Sequence, residues 1–382
     1  MIGYGGCITQ RGLEMRIVIV GKYYPPIYGG IETVVKGLAE GLVERGHEVH
    51  CLVSGDKKFV KENINGVNVY KLPTYGKVFS QPLTTGYRTL LQQLKPEIIN
   101  FHVPNPLALA FCAQKMAPVE IVTCHGPIDK ALPLKWAHDY FLDFFLKRAN
   151  KVILSSQRLI SILKMEKFYS KIKVIPFGLR PCVQGHLGDE RFEKHFLFLG
   201  RLVKYKGVSS LIKASMKLPV PVVVAGEGPE RRALEIKAKD NPFIQFTGSV
   251  SEVQKWELLR QSYALVFPSI SVSETFGLSI LEAFSVGVPV VSSNIPTGVT
   301  EINQHMKTGL CVTPGDVEEL RKALWNLYVN RSLRKKLGQQ AQQNFLRFDY
   351  GRMVLSYESL FQEELKKVSP SPSWRGMRPR GY

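Results

Sequence analysis

The sequence lacks several features that would assign it at once. No apolar run reaches the ~18 residues of a membrane-spanning helix before a charge or a proline interrupts it. Residues 1–14 have neither the apolar core nor the cleavage site of a secretory signal. The six cysteines, at 7, 51, 112, 124, 182 and 311, include no Cys-x-x-Cys pair, and six in 382 residues make no disulfide framework. Reduced thiols in a cytoplasmic protein are the expectation. His102, His125 and the cysteines form no ligand pairs, so no metal site is expected. There is no Walker lysine motif, and Gly226-Glu227-Gly228-Pro229 is an incomplete dinucleotide fingerprint. No Asp-x-Asp occurs, so chemistry on a diphosphate would have to neutralise charge with Arg, Lys and helix ends rather than with carboxylate-held Mg²⁺. Acidic residues are scarce: 32 Asp and Glu stand against 51 Lys and Arg, a formal charge of +19. That excess suits nucleic acid, an anionic membrane surface, acidic substrates or an ordinary solvated surface, and composition does not choose among them.

What is present points to a globular α/β protein. The length suggests two or three domains of roughly 100–200 residues each. With 45% hydrophobic and 22% charged residues, most of the chain is excluded from the disordered class. A strand is expected at 15–20, followed by a loop with Pro25, Pro26, Gly29 and Gly30. A helix at 31–45 then places Val34, Val35, Leu38, Leu42 and Val43 at helical spacing, and a strand follows at 47–54. Further apolar runs lie at 98–102, 119–123 and 151–155. The same rhythm restarts at His195, with strands at 196–199, 220–225, 243–247, 264–267 and 288–292 and helices at 208–217, 230–239, 252–261 and 276–286. Strand, glycine loop, helix, strand is the signature of a doubly wound parallel sheet, met here twice. Helices are expected at 317–328, 331–345 and 350–366.

The expected organisation is an extension at 1–14 (with Met15 as the true start), a first Rossmann-like domain at 15–179, a Pro- and Gly-containing linker at 180–194, a second Rossmann-like domain at 195–349, a last helix at 350–366 and a basic tail at 367–382. From Lys366 on, the chain carries five positive charges and no acid, and reads either as a solvated tail or as a basic segment resting Trp374 on anionic headgroups. Ligands of such sheets bind at the carboxyl ends of the strands. Two domains facing a central cleft would combine loops from both.

Three segments carry candidate chemistry. The first is Ser273-Glu274-Thr275-Phe276-Gly277-Leu278-Ser279-Ile280-Leu281-Glu282, entered from a strand through Pro268 and Ser269. Helix N-termini bind anions, and a diphosphate there would leave one carboxylate on each side to accept sugar and ribose hydroxyls. Glutamates at helix starts are common, so the pair alone is weak. The second, Gly200-Arg201-Leu202-Val203-Lys204-Tyr205-Lys206-Gly207, offers an Arg fork and a Lys point charge to phosphate oxygens. The third, Tyr28-Gly29-Gly30-Ile31-Glu32, opens the first helix with glycines that let backbone approach a phosphate.

In their order and spacing these residues resemble the retaining nucleotide-sugar glycosyltransferases of glycosyltransferase family four, with GT-B architecture. Glu274-x7-Glu282 with Phe276-Gly277 between the acids is similar to the family's E-x7-E signature. The resemblance also takes in Pro25-Pro26 with Gly29-Gly30 and Glu32, Cys124-His125-Gly126, Val174-Ile175-Pro176-Phe177-Gly178, Gly200-Arg201 with Lys206-Gly207, and Gly226-x-Gly-Pro. It spans about residues 15–365.

The resemblance implies metal-independent transfer of a hexose from a nucleoside diphosphate sugar, with retention at the anomeric carbon. It implies that Arg201 and Lys206 hold the diphosphate, that Glu282 binds ribose hydroxyls, and that Glu274 binds the donor sugar. Backbone at Phe276, Gly277 and Leu278 would contact sugar and phosphate, Val250 would line the base, and Gly29 and Gly30 would close on the diphosphate. His125 would reach the transferred sugar. No residue is an obvious nucleophile, which favours a front-face reaction in which the departing phosphate oxygen takes the acceptor proton. The last helix would cross back to the first domain. Pro176-Phe177-Gly178 stands where Pro-Asn-Gly is usual, and the segment from Pro296 to Glu301 lacks the common Gly-Gly-x-Pro-Glu. Both departures lean toward GDP-mannose over UDP-sugars.

The acceptor, a glycan or a lipid-linked one, is least legible. Residues 135–151 mix Trp136, Tyr140, Phe141, Phe144 and Phe145 with Lys135, Lys147, Arg148 and Lys151, which reads either as a buried helix with a basic edge or as a surface for anionic lipid. The expected setting is the cytoplasm, peripheral on the inner face of the membrane, in surface polysaccharide biosynthesis, with no cofactor, no metal and no nucleic acid. The rival readings are a nucleotide-sugar epimerase on the same fold and a non-catalytic basic scaffold for membrane or nucleic acid. The scaffold would leave Glu274, Glu282, Arg201 and Lys206 unexplained.

Overall fold

The structure, a computed structural model, describes residues 14–27, 29–78, 81–112, 114–127, 135–180 and 194–368. Most of the extension, the linker and the tail, with Trp374, Cys7 and Cys182, lie outside the described residues, as do Tyr28 and the side chains of Lys135 and Trp136. Among the described residues no helix is long and apolar enough to cross a membrane.

The chain forms two compact units. One comprises Met1–Thr123, Pro133–Val152 and Val354–Tyr382, the other Cys124–Leu132 and Ile153–Met353. The His125 segment and the residues from Ile153 on group with the second unit rather than with 15–179, and the last helix, expected to return to the first domain, joins the first unit from Val354 onward.

In the first unit the sheet runs in the order Val119–Cys124, Ile98–Val103, Arg16–Val20, Glu48–Ser54, Val67–Leu72, Val60–Ile64. Arg16–Val20 pairs in parallel with both Glu48–Ser54 and Ile98–Val103. Ile17, Val18 and Ile19 are fully buried, as expected for a central parallel strand covered on both faces. The helix Gly30–Glu44 buries Val34, Val35, Leu38 and Leu42, the face that the spacing predicts. Val60–Ile64, the antiparallel edge strand, and the small sheet of Thr74–Val78 with Gln81–Thr84 were not foreseen. Edge strands alternate between exposed and partly covered residues, and their short polar sequences carry little periodic signal.

The last helix, Tyr350–Val368, is held in this unit by charge as well as by packing. The Glu358 carboxylate, 6% exposed, receives Arg45 Nε on one oxygen and lies 2.9 Å from His47 Nε2 on the other. The Met15 backbone N–H donates to His47 Nδ1 at 3.3 Å, which leaves Nε2 as the donor to Glu358. The Tyr357 and Thr123 hydroxyls lie 3.4 Å apart.

In the second unit six strands pair in parallel in the order Ile244–Gly248, Val222–Ala225, His195–Leu199, Ser262–Phe267, Val290–Ser293, Gly309–Val312. Numbered by chain position within this sheet, that is 3-2-1-4-5-6, the doubly wound order. Its core joins Phe196, Phe198, Val222, Val224, Ala264 and Val266 of the strands to Leu211, Ile212, Leu320, Leu324 and Leu337 of the helices. The order reverses between His195–Leu199 and Ser262–Phe267. The carboxyl ends of those two strands therefore open the crevice in which such sheets bind ligands.

A buried carboxylate stripped of one partner is costly, and so is removing the carboxylate from beneath Arg45 and His47. Glu358→Ala is expected to lower unfolding stability by about 3 kcal/mol, measured by chemical denaturation. Hydrogen exchange should rise across 354–368 before it rises in the six-stranded sheet.

Candidate active site

The loops leaving the two switch-point strands are Gly200–Gly207 and Pro268–Gly277. They are packed backbone to backbone. Ile270 N–H donates to the Tyr205 carbonyl at 2.8 Å. Gly207 has φ +69°, and a Cβ there would collide with the Pro268 carbonyl oxygen, so only glycine lets the loops meet. Lys206, the residue before that contact, is thereby aimed at the second loop.

Lys206 Nζ forms an ion pair with Glu274 Oε2, and both side chains are largely buried. The ammonium also lies 5.1 Å from the centre of the Phe267 ring, a cation–π distance. Ser269 Oγ donates to the same Glu274 oxygen at 3.3 Å. Arg201, at the mouth of the first loop, is exposed and has no ion pair among the described residues.

The helix after Glu274 is Leu278–Ser285, not the 276–286 expected. Gly277 is its N-cap, with φ +85°, and this left-handed residue keeps Phe276 out of the helix and buries its ring. Phe276, Gly277 and Leu278 therefore form the approach to the helix and its first residue. Glu282, the fifth residue of the helix, accepts from Lys255 Nζ at 2.7 Å, and the same ammonium reaches Glu252 at 2.8 Å. Burial pushes the Glu282 carboxyl above its usual range, with Lys255 opposing that rise. Burial also pulls down on the Lys255 ammonium, but Glu282 and Glu252 together outweigh it and leave its pKa raised. Sequence reasoning missed Lys255. The signal was available: Ser251 and Gln254 form a capping box that starts the helix Glu252–Arg260 and fixes Lys255 one turn in. Val250 precedes that box, half-buried, beyond the end of Ile244–Gly248.

His125 lies just beyond the strand Val119–Cys124 and belongs to the same compact unit as Glu274. Its ring stacks on Phe177, centroids 4.8 Å apart and planes at 28°. Phe177 meets Phe276 edge-on at 5.1 Å, and Phe276 meets Phe348 at 6.1 Å. Thr275 Oγ1 donates to the His125 carbonyl at 2.5 Å. Burial lowers the His125 pKa to about 3, so the imidazole is neutral near pH 7. Thr275 and Phe177 had no site role in the sequence reading. Gly29 and Gly30 belong to the first unit, where Gly29 is the N-cap of the helix Gly30–Glu44. Glu32 folds back toward Gly29, and burial raises its carboxyl pKa.

One unit thus brings together Lys206, Glu274, Phe276, Gly277, Leu278, Glu282 and His125, with Arg201 at the rim. Lysines can compensate an anion and carboxylates can accept hydroxyl hydrogens, and both stand at a doubly wound switch point. The fold is GT-B, with two Rossmann-like domains. The chain belongs to glycosyltransferase family 4: residues 28–181 match the Glycosyltransferase Family 4 model and residues 188–344 match Glycosyl transferases group 1. It is 29% identical over 371 residues to the O-antigen chain mannosyltransferase C of Escherichia coli, covering 93% of this chain and 100% of that one. It is 30% identical over 340 residues to the D-rhamnosyltransferase WbpZ of Pseudomonas aeruginosa, covering 85% and 89%. Among solved structures, Anabaena Alr3699/HepE in complex with UDP-glucose superposes with a TM-score of 0.75 at 17% identity, covering 92% and 100%. The protein is a glycosyltransferase.

The depressed His125 pKa has a stability consequence. An unfolded histidine titrates near 6.5. Between there and about 3 the unfolded chain binds the extra proton, so stability rises with pH in that window. The contribution is fully present above pH 6.5 and is lost as pH falls toward 3. His125→Phe keeps a ring against Phe177 and removes the titration. Between pH 7 and 4.5 the wild type should lose about 2 kcal/mol more stability than this variant, read by denaturant titration at both pH values.

Proposed function

We propose that the protein transfers a hexose, with retention of anomeric configuration and without a metal, from a nucleoside diphosphate sugar to a glycan or lipid-linked acceptor in surface polysaccharide synthesis. GDP-mannose is the favoured donor. The observation that carries this reading is the pair of lysine-held carboxylates at the switch point, Glu274 before the helix Leu278–Ser285 and Glu282 within it. A diphosphate at that helix end would meet free N–H groups and the positive end of the dipole. Lys206 would then exchange Glu274 for phosphate oxygens, and Arg201 would close from the rim with its planar fork. Glu274, released, would accept hydroxyls of the donor sugar. Glu282, oriented by Lys255, would accept those of the ribose.

In this reaction the leaving group is a phosphate oxygen on which charge grows as the glycosidic bond breaks. Prepositioned cations and N–H groups stabilise that charge more in the transition state than in the ground state. In this scheme Glu274 would be hydrogen-bonded to hydroxyls of the sugar and Glu282 to those of the ribose, so neither is assigned as a nucleophile. This agrees with a front-face route in which the departing phosphate oxygen takes the acceptor proton. Neutral His125 can exchange hydrogen bonds with a sugar hydroxyl without adding charge.

The mannose donor draws support from the name of the Escherichia coli relative, a mannosyltransferase, and from Phe177 in place of asparagine. A membrane-facing acceptor, with the protein peripheral on the cytoplasmic side, draws support from the +19 charge. The helix Lys135–Arg148 adds exposed Tyr140 and Phe144 beside exposed Lys147.

Thermal-shift titration in EDTA with GDP, UDP, GDP-mannose, UDP-glucose and UDP-N-acetylglucosamine tests the donor, because a ligand of the native state raises Tm by mass action. Stabilisation by GDP and GDP-mannose above the uridine nucleotides is expected. The reverse order overturns the donor assignment, and no shift with any nucleotide overturns the reading. Glu274→Gln separates the two roles of that residue. Without the competing carboxylate, Lys206 should bind GDP at least as tightly as in the wild type. Transfer should meanwhile fall by about 10²–10³-fold. Full activity in that variant would refute the site.

A further inference from the structure

Thr275 stands between the two proposed sugar-contacting groups, Glu274 and the His125 segment, and it is bonded on both sides. Its hydroxyl donates to the His125 carbonyl at 2.5 Å, and its own carbonyl accepts from Gly298 N–H at 2.9 Å. The contact with the His125 segment is tight. A Cβ added at Gly126 would lie 2.7 Å from Thr275 Cγ2, closer than such atoms approach. Gly298 has the same constraint on the other side, where a Cβ would lie 2.7 Å from the Thr275 carbonyl oxygen. The imidazole is meanwhile stacked on Phe177, which is locked edge-on against Phe276, the residue after Thr275. The segment 125–126 is thus fixed through its backbone by Thr275 and through its ring by Phe177. Both anchors lead to the stretch that carries Glu274.

We propose that Thr275 and Phe177 are positioning residues of the glycosyl transfer. They hold the His125 imidazole in fixed register with Glu274, so that the two groups address one sugar ring together. This rests on the function proposed above. The roles divide by chemistry. Lys206, Arg201 and the helix end hold the diphosphate, and none of their contacts passes through the Thr275 hydroxyl. Loosening Thr275 should therefore leave nucleotide binding in place and misplace the histidine at the reacting end, where displacements of about 1 Å can cost up to 10²-fold in rate. The family resemblance would lead one to expect asparagine at Phe177. An aromatic face there fixes the plane of the imidazole, whereas a side-chain amide would offer it a hydrogen bond.

The test compares Thr275→Val, which is isosteric and lacks the hydroxyl, with Thr275→Ser, which keeps it. Three readouts are used on the full chain. First, kcat for GDP-mannose turnover should fall by about 10–100-fold in Thr275→Val, while donor KM and the GDP-induced Tm shift stay within about twofold, close to the scatter of such measurements. Second, Thr275→Ser should recover most of the rate. Third, carbethoxylation of His125 by diethyl pyrocarbonate, mapped by peptide mass spectrometry, should be slow in the wild type and severalfold faster in Thr275→Val. Phe177→Leu should behave like Thr275→Val in both rate and modification. Unchanged kcat and unchanged modification in Thr275→Val would overturn the proposal. Loss of GDP binding in step with kcat would also overturn it, since the residue would then act through the donor site. The modification experiment needs no turnover. Were the wild type to transfer no sugar, it is the proposed function that would fail, and the His125 anchoring would still be decided by the labelling rates.

Discussion

Two largely buried carboxylates stand eight residues apart at the reversal point of a parallel sheet, and each does so only because an ammonium lies against it. Without Lys206 and Lys255, the desolvation of Glu274 and Glu282 would oppose folding of the loop and helix that carry them. With them, each carboxylate is aimed and charge-compensated before any ligand arrives. The arrangement fixes much else. Gly207 must be glycine so that the Lys206 loop can touch Pro268. Gly277 must take a left-handed φ so that Phe276 turns into the core while Glu274 stays at the mouth. The capping box at Ser251 sets the helix from which Lys255 reaches across.

The aromatic contacts carry the same order to the histidine. Phe348, Phe276, Phe177 and His125 form a continuous run of ring contacts with centroids 4.8–6.1 Å apart. Such contacts contribute through area and edge-to-face geometry and do not tolerate rotation of one member. The run begins beside Asp349, whose neighbour Tyr350 opens the last helix. That helix continues into the first unit, where Glu358 gathers Arg45 and His47. Glu358 is a structural carboxylate with two cationic or donor partners, and Glu274 resembles it in form. The difference lies in setting: Glu358 is paired with Arg45 and His47, whereas Glu274 lies in the loop that leaves a switch-point strand.

Much of this was legible in the sequence, for a physical reason. Parallel strands covered on both faces are near-continuous runs of Val, Ile, Leu and Phe, and the helices between them repeat at helical spacing. Strands such as Arg16–Val20 and helices such as Arg331–Phe345 therefore declare themselves. Val60–Ile64 did not, because an exposed antiparallel edge has no such run. The helix start at Leu278 was misplaced by two residues because Gly277 acts as a left-handed cap, and glycine is equally common in a helix's flanking loop. Glu274, Glu282, Arg201 and Lys206 were singled out from their places at strand ends and a helix start, and the structure brings Lys206 and Glu274 into contact. Thr275 and Phe177 were not, since their work is done across long sequence separations. A hydroxyl bonded to a carbonyl 150 residues away leaves no local pattern.

The charge states divide the labour of the proposed reaction. Burial holds His125 neutral, so it cannot supply the positive charge that a departing diphosphate requires. In the proposed scheme that charge would come from Lys206, now paired with Glu274, and from Arg201, which is exposed and unpaired among the described residues. A protonated histidine at the sugar would compete with them for the phosphate and would lose its ability to accept a hydrogen bond. A neutral one can both donate and accept, which suits a ring bearing hydroxyls. Burying His125 against Phe177 thus favours a chemical property, neutrality. The same packing fixes the orientation without which that property would be of no use.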